Sequence, residues 1–171
     1  MSWITTRTAR LVMAALVCVV AAGCEDSGTS GPTGVTTTAQ VQGTWNGDYT
    51  VTACNDQTAP GFCPEFVPVG TVLPIRIVLT QTGEQLSGTV ELGSLIIPVS
   101  GTVNGSRVVL TGSVTMDVEG FSTTTALVNW DTVVSGSNMT GGWRTTFSIV
   151  GLPGSAFVEN SIRTVTKTGQ S

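Results

Sequence analysis

The chain has 171 residues, 40% of them hydrophobic and only 11% charged, and it contains no histidine. A chain without histidine has no Ser-His-Asp or Cys-His catalytic set and no histidine-ligated zinc ion. Carboxylate pairs remain as an enzymatic route, and Asp117 and Glu119 form either a solvated surface or a weak calcium site. We expect the solvated surface, and therefore neither an enzyme nor a metal or cofactor site. Seven basic residues against eleven acidic ones give a net charge of −4, which argues against a nucleic-acid partner.

An apolar run from Leu11 to Ala22 follows two basic residues, Arg7 and Arg10, near the start of the chain. A run of this length is too short to cross a bilayer, and behind a positive segment it is typical of a secretory signal peptide. The run ends in Val-Ala-Ala-Gly-Cys at positions 20–24, which resembles the lipobox of bacterial lipoproteins. The resemblance implies cleavage before Cys24 and attachment of lipid to it, whereas an ordinary secretory signal would leave this cysteine an incidental thiol.

The lipobox divides the chain into a signal peptide at 1–23, a lipidated flexible tether at 24–38 and a folded domain at 39–171. The tether is rich in Ser, Thr, Gly and Pro and has almost no apolar side chains, so it cannot bury enough surface to fold. In the lipoprotein family the cysteine receives a diacylglycerol-type lipid and a further acyl chain such as palmitate. More than one such chain makes membrane attachment effectively permanent.

The expected location is the bacterial cell envelope, with a membrane as the partner that the lipid reaches. Glu25 follows the cysteine in place of aspartate, which resembles lipoproteins sent to the outer membrane. Removal of Arg7 and Arg10 with the signal leaves five basic residues against eleven acidic ones, a net charge of −6. This charge argues against electrostatic binding to anionic headgroups, so attachment is expected to depend on the lipid.

Two of the four cysteines are available to form a disulfide. Cys18 leaves with the signal and Cys24 carries the lipid, so Cys54 and Cys63 are left together in an oxidising compartment. The residues between them are turn-forming, and we predict a disulfide that closes a loop between two strands. Closing so short a loop stabilises the fold by about 2–3 kcal/mol in the chain-entropy picture.

Abundant β-branched residues and the lack of helical periodicity after Ala39 predict antiparallel β-structure for the folded domain. Short connections, including the Asn104-Gly105 hairpin signal, predict that consecutive segments are neighbours in a meander. An eight-stranded meander with one apolar face closes most simply into an up-and-down barrel, and a β-sandwich is the alternative. The eight predicted strands are Thr44–Cys54, Pro74–Thr82, Leu86–Leu92, Leu95–Val103, Ser106–Val118, Phe121–Val133, Ser137–Val150 and Ser155–Thr168.

A weak repeat places a glycine two residues after an apolar side chain at Gly88, Gly101, Gly112 and Gly141. Glycine inside a strand lets it bend sharply or approach another strand closely, as a small barrel requires.

Alternation of side chains along the strands predicts an apolar interior, with threonines and serines pointing outward. The residues predicted to point inward are Trp45, Tyr49, Ile75, Ile77, Leu79, Leu86, Val90, Val99, Val103, Leu110, Val114, Met116, Val128, Trp130, Met139, Trp143 and Phe147. A small apolar ligand is expected to contact Trp45, Tyr49, Met116, Trp130, Trp143 and Phe147. The same rings can instead fill a narrow barrel, which eight strands allow. The loop from Phe62 to Phe66 is expected at the barrel mouth, as a cover or partner contact or as ordinary packing.

Gly43-Thr44-Trp45, at the start of the first strand, resembles the Gly-x-Trp signature of the calycin barrels, among them lipocalins and avidins. The resemblance implies an eight-stranded barrel and a basic side chain from the last strand lying across the tryptophan, with Arg163 as the candidate. The polar residues with which avidins contact biotin have no counterparts here, so biotin is not implied.

These patterns together predict a lipid-anchored barrel of the cell envelope that binds a small apolar ligand. The alternative is a structural or adhesion module of the cell surface that has no ligand cavity. Protein partners are not indicated by the sequence.

Overall fold

The computed structural model describes residues 37–56, 61–118, 120–150 and 155–169. The predicted signal peptide, the lipidated Cys24 and the tether up to residue 36 lie outside the described residues. The described chain folds into eight strands and one short helix: β1 (Gly43–Asn55), α1 (Phe62–Phe66), β2 (Val72–Thr82), β3 (Gln85–Leu92), β4 (Leu95–Asn104), β5 (Arg107–Val118), β6 (Phe121–Ser135), β7 (Asn138–Ile149) and β8 (Ala156–Gly169).

The eight strands form one closed antiparallel barrel in chain order. Each strand pairs with its neighbours in the sequence, and β8 pairs with β1 from Thr44↔Gly169 to Asn55↔Phe157. The predicted up-and-down barrel is therefore confirmed, since a sandwich of two sheets would leave the first and last strands unpaired with each other. Every predicted strand is present, with bounds that differ by at most two residues.

One element departs from the all-strand prediction. Helix α1 is a single turn of five residues between β1 and β2, where no helix was expected. Five residues are too few to show a helical repeat of apolar side chains, so periodicity gives no signal for it. No helix in the described part of the chain has the length and apolarity that crossing a bilayer requires.

Because successive strands are antiparallel, alternate connections lie at the same end of the barrel. We call the end that holds the β1–β2, β3–β4, β5–β6 and β7–β8 connections the mouth, and the other the closed end. Residues 37–42 cover the closed end: Ala39 N donates to Gly105 O at 2.7 Å, and Val41 N donates to Gln81 Oε1 at 2.7 Å. Gln81 Nε2 in turn donates to Ala39 O at 3.1 Å, and Val41 is fully buried.

The glycines of the sequence repeat lie where neighbouring strands come closest. A Cβ atom at Gly88 would lie 1.9 Å from Val78 O, and one at Gly101 would lie 1.9 Å from Val109 O. Gly112 and Gly141 face neighbouring carbonyl oxygens in the same way, at 2.1 and 2.3 Å. These strands can follow the tight curvature of the barrel only because the glycines lack a side chain.

A bulge in β6 changes the face on which its residues lie. Leu127 and Trp130 are both buried although they are three residues apart, because Asn129 between them adopts a left-handed φ of 53°. The pairing with β7 shifts between Val128 and Asp131. The prediction that Val128 points inward is therefore wrong. Val128 is opposite Arg144 on the outer wall, and Leu127 takes the inward position.

The closest approach in the barrel generates a prediction about stability. A Cβ atom at Gly47 would lie 1.6 Å from Thr164 O, so Gly47→Ala must push β1 and β8 apart where the barrel closes. We expect a loss of at least about 2 kcal/mol in the free energy of unfolding, measured as a lowered urea midpoint. Gly169→Ala is the control, because a Cβ atom there meets nothing within 4 Å. Equal midpoints for the two variants would contradict the close approach.

Candidate functional site

Three rings form an aromatic column through the middle of the barrel. Trp130 stacks on Trp143 with ring centroids 4.7 Å apart and an interplanar angle of 21°. Tyr49 packs on the same Trp143 at 5.1 Å in a tilted arrangement. All three side chains are buried, so at this level of the barrel the rings contact one another.

The interior also contains polar groups that hold this column. Trp130 Nε1 donates to Thr132 Oγ1 at 3.0 Å, and Trp143 Nε1 donates to Thr145 Oγ1 at 3.1 Å. Asn160 Nδ2 donates to Thr145 Oγ1 as well, at 3.1 Å. Asn160 and three threonines, at positions 125, 132 and 145, are buried. The prediction that threonines point outward is therefore wrong for these three.

The Trp-x-Thr spacing in the sequence could have predicted the buried threonines. A buried indole N–H needs an acceptor, and a residue two positions later along a strand lies on the same face. Trp130-x-Thr132 and Trp143-x-Thr145 each supply that acceptor locally. The interior is therefore lined by apolar and hydroxyl side chains together.

Trp45 lies apart from the column, at the closed end. Its Nε1 donates to Val41 O at 2.9 Å, and its ring is fully buried. Lys167 from β8 places its Nζ 5.8 Å from the ring centroid. The prediction that Arg163 lies across this ring is wrong. Its side chain is exposed on the outer wall, four residues before the position opposite Trp45. The predicted contact between a last-strand cation and the tryptophan is present, made by lysine.

Several apolar side chains at the mouth stay partly exposed. Phe147 and Val114 are half-buried against the core, and Met116 is 36% exposed. Phe62 from α1 covers Phe147 with ring centroids 5.2 Å apart. The loop of Phe62 to Phe66 is thus at the mouth, as predicted.

A disulfide and a carboxylate hold α1 in this place. Cys54 at the end of β1 is bonded to Cys63, which confirms the predicted pair. Asp56 Oδ2 accepts hydrogen bonds from Gly61 N at 2.9 Å and from Cys63 N at 3.2 Å. Both groups fix the start of α1, so Phe62 is positioned by the end of β1.

The six predicted contact residues thus fall into three places. Tyr49, Trp130 and Trp143 form the column, Phe147 and Met116 line the mouth, and Trp45 belongs to the closed end. A ligand that contacts all six would have to displace the column. The structure therefore places five of the six residues in the middle of the barrel or at its mouth, and it places Trp45 at the opposite end.

Outside the lumen, the described part of the barrel has two surface grooves. Two grooves of about 520 and 400 Å³ are lined by residues of the outer wall, on β4–β6 and on β1, β7 and β8. Within the described ranges no three His, Cys, Asp or Glu side chains are grouped to hold a metal ion.

Tyr49 allows a direct test of the column, because it is the single tyrosine of the chain. Burial raises the pKa of its phenol above the ordinary value of 10.0, since the phenolate would lose its hydration. The unfolded chain ionises first, so this contribution to stability is complete below pH 10 and is lost as the pH rises through the folded pKa. Tyrosinate absorbance should rise at higher pH in the folded protein than in urea. Coincident titrations of the two states would contradict burial.

A scan against models of known protein families gives no match for this chain, and neither does a comparison with curated proteins. The calycin resemblance therefore depends on Gly43, Trp45 and the barrel topology. It stays a prediction.

Proposed function

We propose that the protein is a lipid-anchored, non-catalytic barrel of the bacterial cell envelope that binds one small apolar molecule at its mouth. The observation that carries the proposal is the contrast between the two halves of the lumen. Side chains of the closed half, such as Trp45, Val103 and Met139, are fully buried. At the mouth, fully buried residues such as Val90 and Ile97 are followed by apolar side chains that are only partly covered, among them Val114 and Phe147.

The proposed site has walls, a floor and a cover. Phe147 and Val114 supply apolar walls and Met116 the outer edge, while Phe62 covers Phe147 from above. Below them Trp143, packed on Tyr49, limits how deeply a ligand can enter. Each Å² of apolar surface that a ligand buries here gains roughly 25 cal/mol, so a compact molecule held by a few of these side chains suffices for binding.

The charges around the mouth favour an uncharged ligand. Glu65 in α1 and Asp117 near the end of β5 are exposed beside the site, and none of the side chains proposed to line it is charged. A carboxylate ligand such as a fatty acid would be repelled by these acids. An alcohol, ester or hydrocarbon of similar size would not.

A second candidate is a surface module whose barrel serves only as a scaffold. The packed aromatic column favours it, because rings 4.7 and 5.1 Å apart fill the middle of the lumen. The two candidates differ in whether the mouth takes up an apolar molecule, which a titration decides.

Binding is tested with the neutral apolar dye N-phenyl-1-naphthylamine, whose emission rises in apolar surroundings. We expect saturation near one equivalent for the full-length protein. Met116→Lys should weaken binding at least tenfold, because it places a charge at the edge of the apolar site. The side chain is 36% exposed, so its ammonium can reach water and the fold is retained.

The matched control is Val109→Lys, on the outer wall of β5, where valine is 42% exposed. It introduces the same charge away from the mouth and should leave binding unchanged. A folded protein that gives no saturable signal would exclude the ligand site and leave the scaffold candidate. Equal effects of the two lysines would place the dye elsewhere.

The anchor is tested by mass spectrometry of protein isolated from membranes. We expect a mature chain that begins at Cys24 and carries acyl groups, and we expect Cys24→Ser to abolish them. Cys18→Ser is the control, since this cysteine lies within the predicted signal and should not affect lipidation. An unmodified chain that begins elsewhere would refute the anchor.

A further inference from the structure

The mouth carries a second set of apolar side chains, which are too exposed to line a ligand site. Phe66 and Val150 are each 65% exposed, Val69 is 61% exposed and Phe121 is 58% exposed. We call these four residues the apolar rim. Exposed valine and phenylalanine side chains that are grouped at one end of a protein indicate an interaction surface.

The rim residues are held in place by ordered structure. Val150 N donates to Ser122 O at 2.8 Å, which fixes Val150 beside the Phe121 hairpin. On the β1–β2 connection Phe66 packs on Phe62 at 5.5 Å. The return of that connection is fixed where Gly70 N donates to Val51 O at 2.8 Å. The rim thus occupies two sides of the mouth on segments that strand pairing and ring contacts position.

The charges at the mouth have one sign. The connections at 55–72, 92–95, 117–122 and 149–156 contain four acidic residues and no lysine or arginine. Of these acids, Glu65 and Asp117 are exposed and take part in none of the ion pairs that the structure describes.

The basic residues lie elsewhere on the barrel. Arg76, Arg107 and Arg144 are paired with acids across neighbouring strands of the wall, Arg163 is exposed on the outer wall of β8, and Lys167 is at the closed end over Trp45. Among the described residues, the connections that carry the apolar rim therefore have acidic side chains and no basic ones, so the local charge is negative.

We propose that the apolar rim is a docking surface for a partner protein that presents a cationic, amphipathic segment. Apolar side chains of such a segment would cover the phenylalanines, and its lysines or arginines would face Glu65 and Asp117. Opposite charges would speed the encounter, while burial of the aromatic rings would supply most of the affinity. This inference does not depend on a ligand in the lumen.

Other occupants fit the rim less well. A bilayer with anionic headgroups would be repelled by the acids, and a second copy of this chain would bring two acidic rims together.

The test uses full-length protein in mild detergent and two labelled 14-residue peptides, one of leucine and lysine and one of leucine and glutamate with the same pattern. We expect saturable binding of the lysine peptide and at least tenfold weaker binding of the glutamate peptide. Raising the salt from 50 to 500 mM should weaken the lysine peptide several-fold. Equal binding of both peptides would overturn the proposed charge complementarity.

Variants locate the binding surface. Phe66→Ser with Phe121→Ser should weaken the lysine peptide at least tenfold. The control pair is Val109→Ser with Val133→Ser, exposed valines of the outer wall near the closed end, and it should change binding less than twofold. A control that weakens binding as much as the rim pair would refute the rim as the site.

A second pair of variants separates the acids at the mouth from acids in general. Glu65→Gln with Asp117→Asn should weaken the lysine peptide about as much as high salt does. Asp48→Asn with Glu84→Gln removes two exposed carboxylates away from the mouth and should leave binding nearly unchanged. Equal losses would show attraction to net charge alone and overturn the proposal.

Two measurements check the rival occupants. Sedimentation velocity should show a monomer; a dimer that Phe66→Ser with Phe121→Ser dissociates would assign the rim to self-association instead. In vesicles of dibrominated phosphatidylcholine, the indole introduced by Phe121→Trp should keep its emission. Quenching by the bromines would show that the rim rests on lipid and would overturn the proposal.

Discussion

Pairing of β8 with β1 is the constraint on which the rest of this structure depends. It removes both sheet edges and fixes the barrel at eight strands, a circumference whose interior is just wide enough for side chains. Strands that curve so tightly approach each other closely, and at Gly47, Gly88 and Gly101 a Cβ atom would lie within 2 Å of a neighbouring carbonyl oxygen. The glycine pattern is thus a consequence of closure, and so is the amount of room left inside.

Closure also decides how the lumen is divided. With room only for side chains, the stack of Trp130, Trp143 and Tyr49 is enough to fill the middle of the barrel. Each buried indole requires an acceptor, and the threonine two residues later provides one for Trp130 and Trp143. Because this column fills the middle of the barrel, the binding site that we propose lies at the mouth, where Phe147 and Phe62 remain partly exposed.

Much of the fold could be predicted because the period of two and the turn residues act locally. Strand order and closure follow from such local signals together with short connections, whereas the Cys54–Cys63 bond followed from elimination of the other two cysteines. The errors arose where the period is interrupted: the left-handed Asn129 moved Val128 to the outer wall, and one turn of α1 left no repeat to detect. The exchange of Arg163 for Lys167 depends on the register between β1 and β8, and a sequence does not reveal register across a barrel.

The candidate site was predictable in its residues and less so in its arrangement. Alternation identified the aromatic side chains that face inward, but it assigned no depth along the barrel axis, so Trp45 was grouped with rings that it does not contact. Depth follows from strand bounds and pairing. The apolar rim was beyond sequence reasoning for a related reason: its four residues come from three separate connections that only the barrel brings to one end.

The central claim is that the mouth half binds and the closed half is packed. The three indole N–H groups that follow the predicted signal peptide, in Trp45, Trp130 and Trp143, report on this division in a two-dimensional ¹H–¹⁵N spectrum. On titration with an uncharged long-chain alcohol, the account predicts shifts for amides of residues 62–67, 114–118 and 145–149, with the indole signals of Trp45 and Trp130 unchanged. Large shifts of those two indole signals, or no shifts at the mouth, would contradict it.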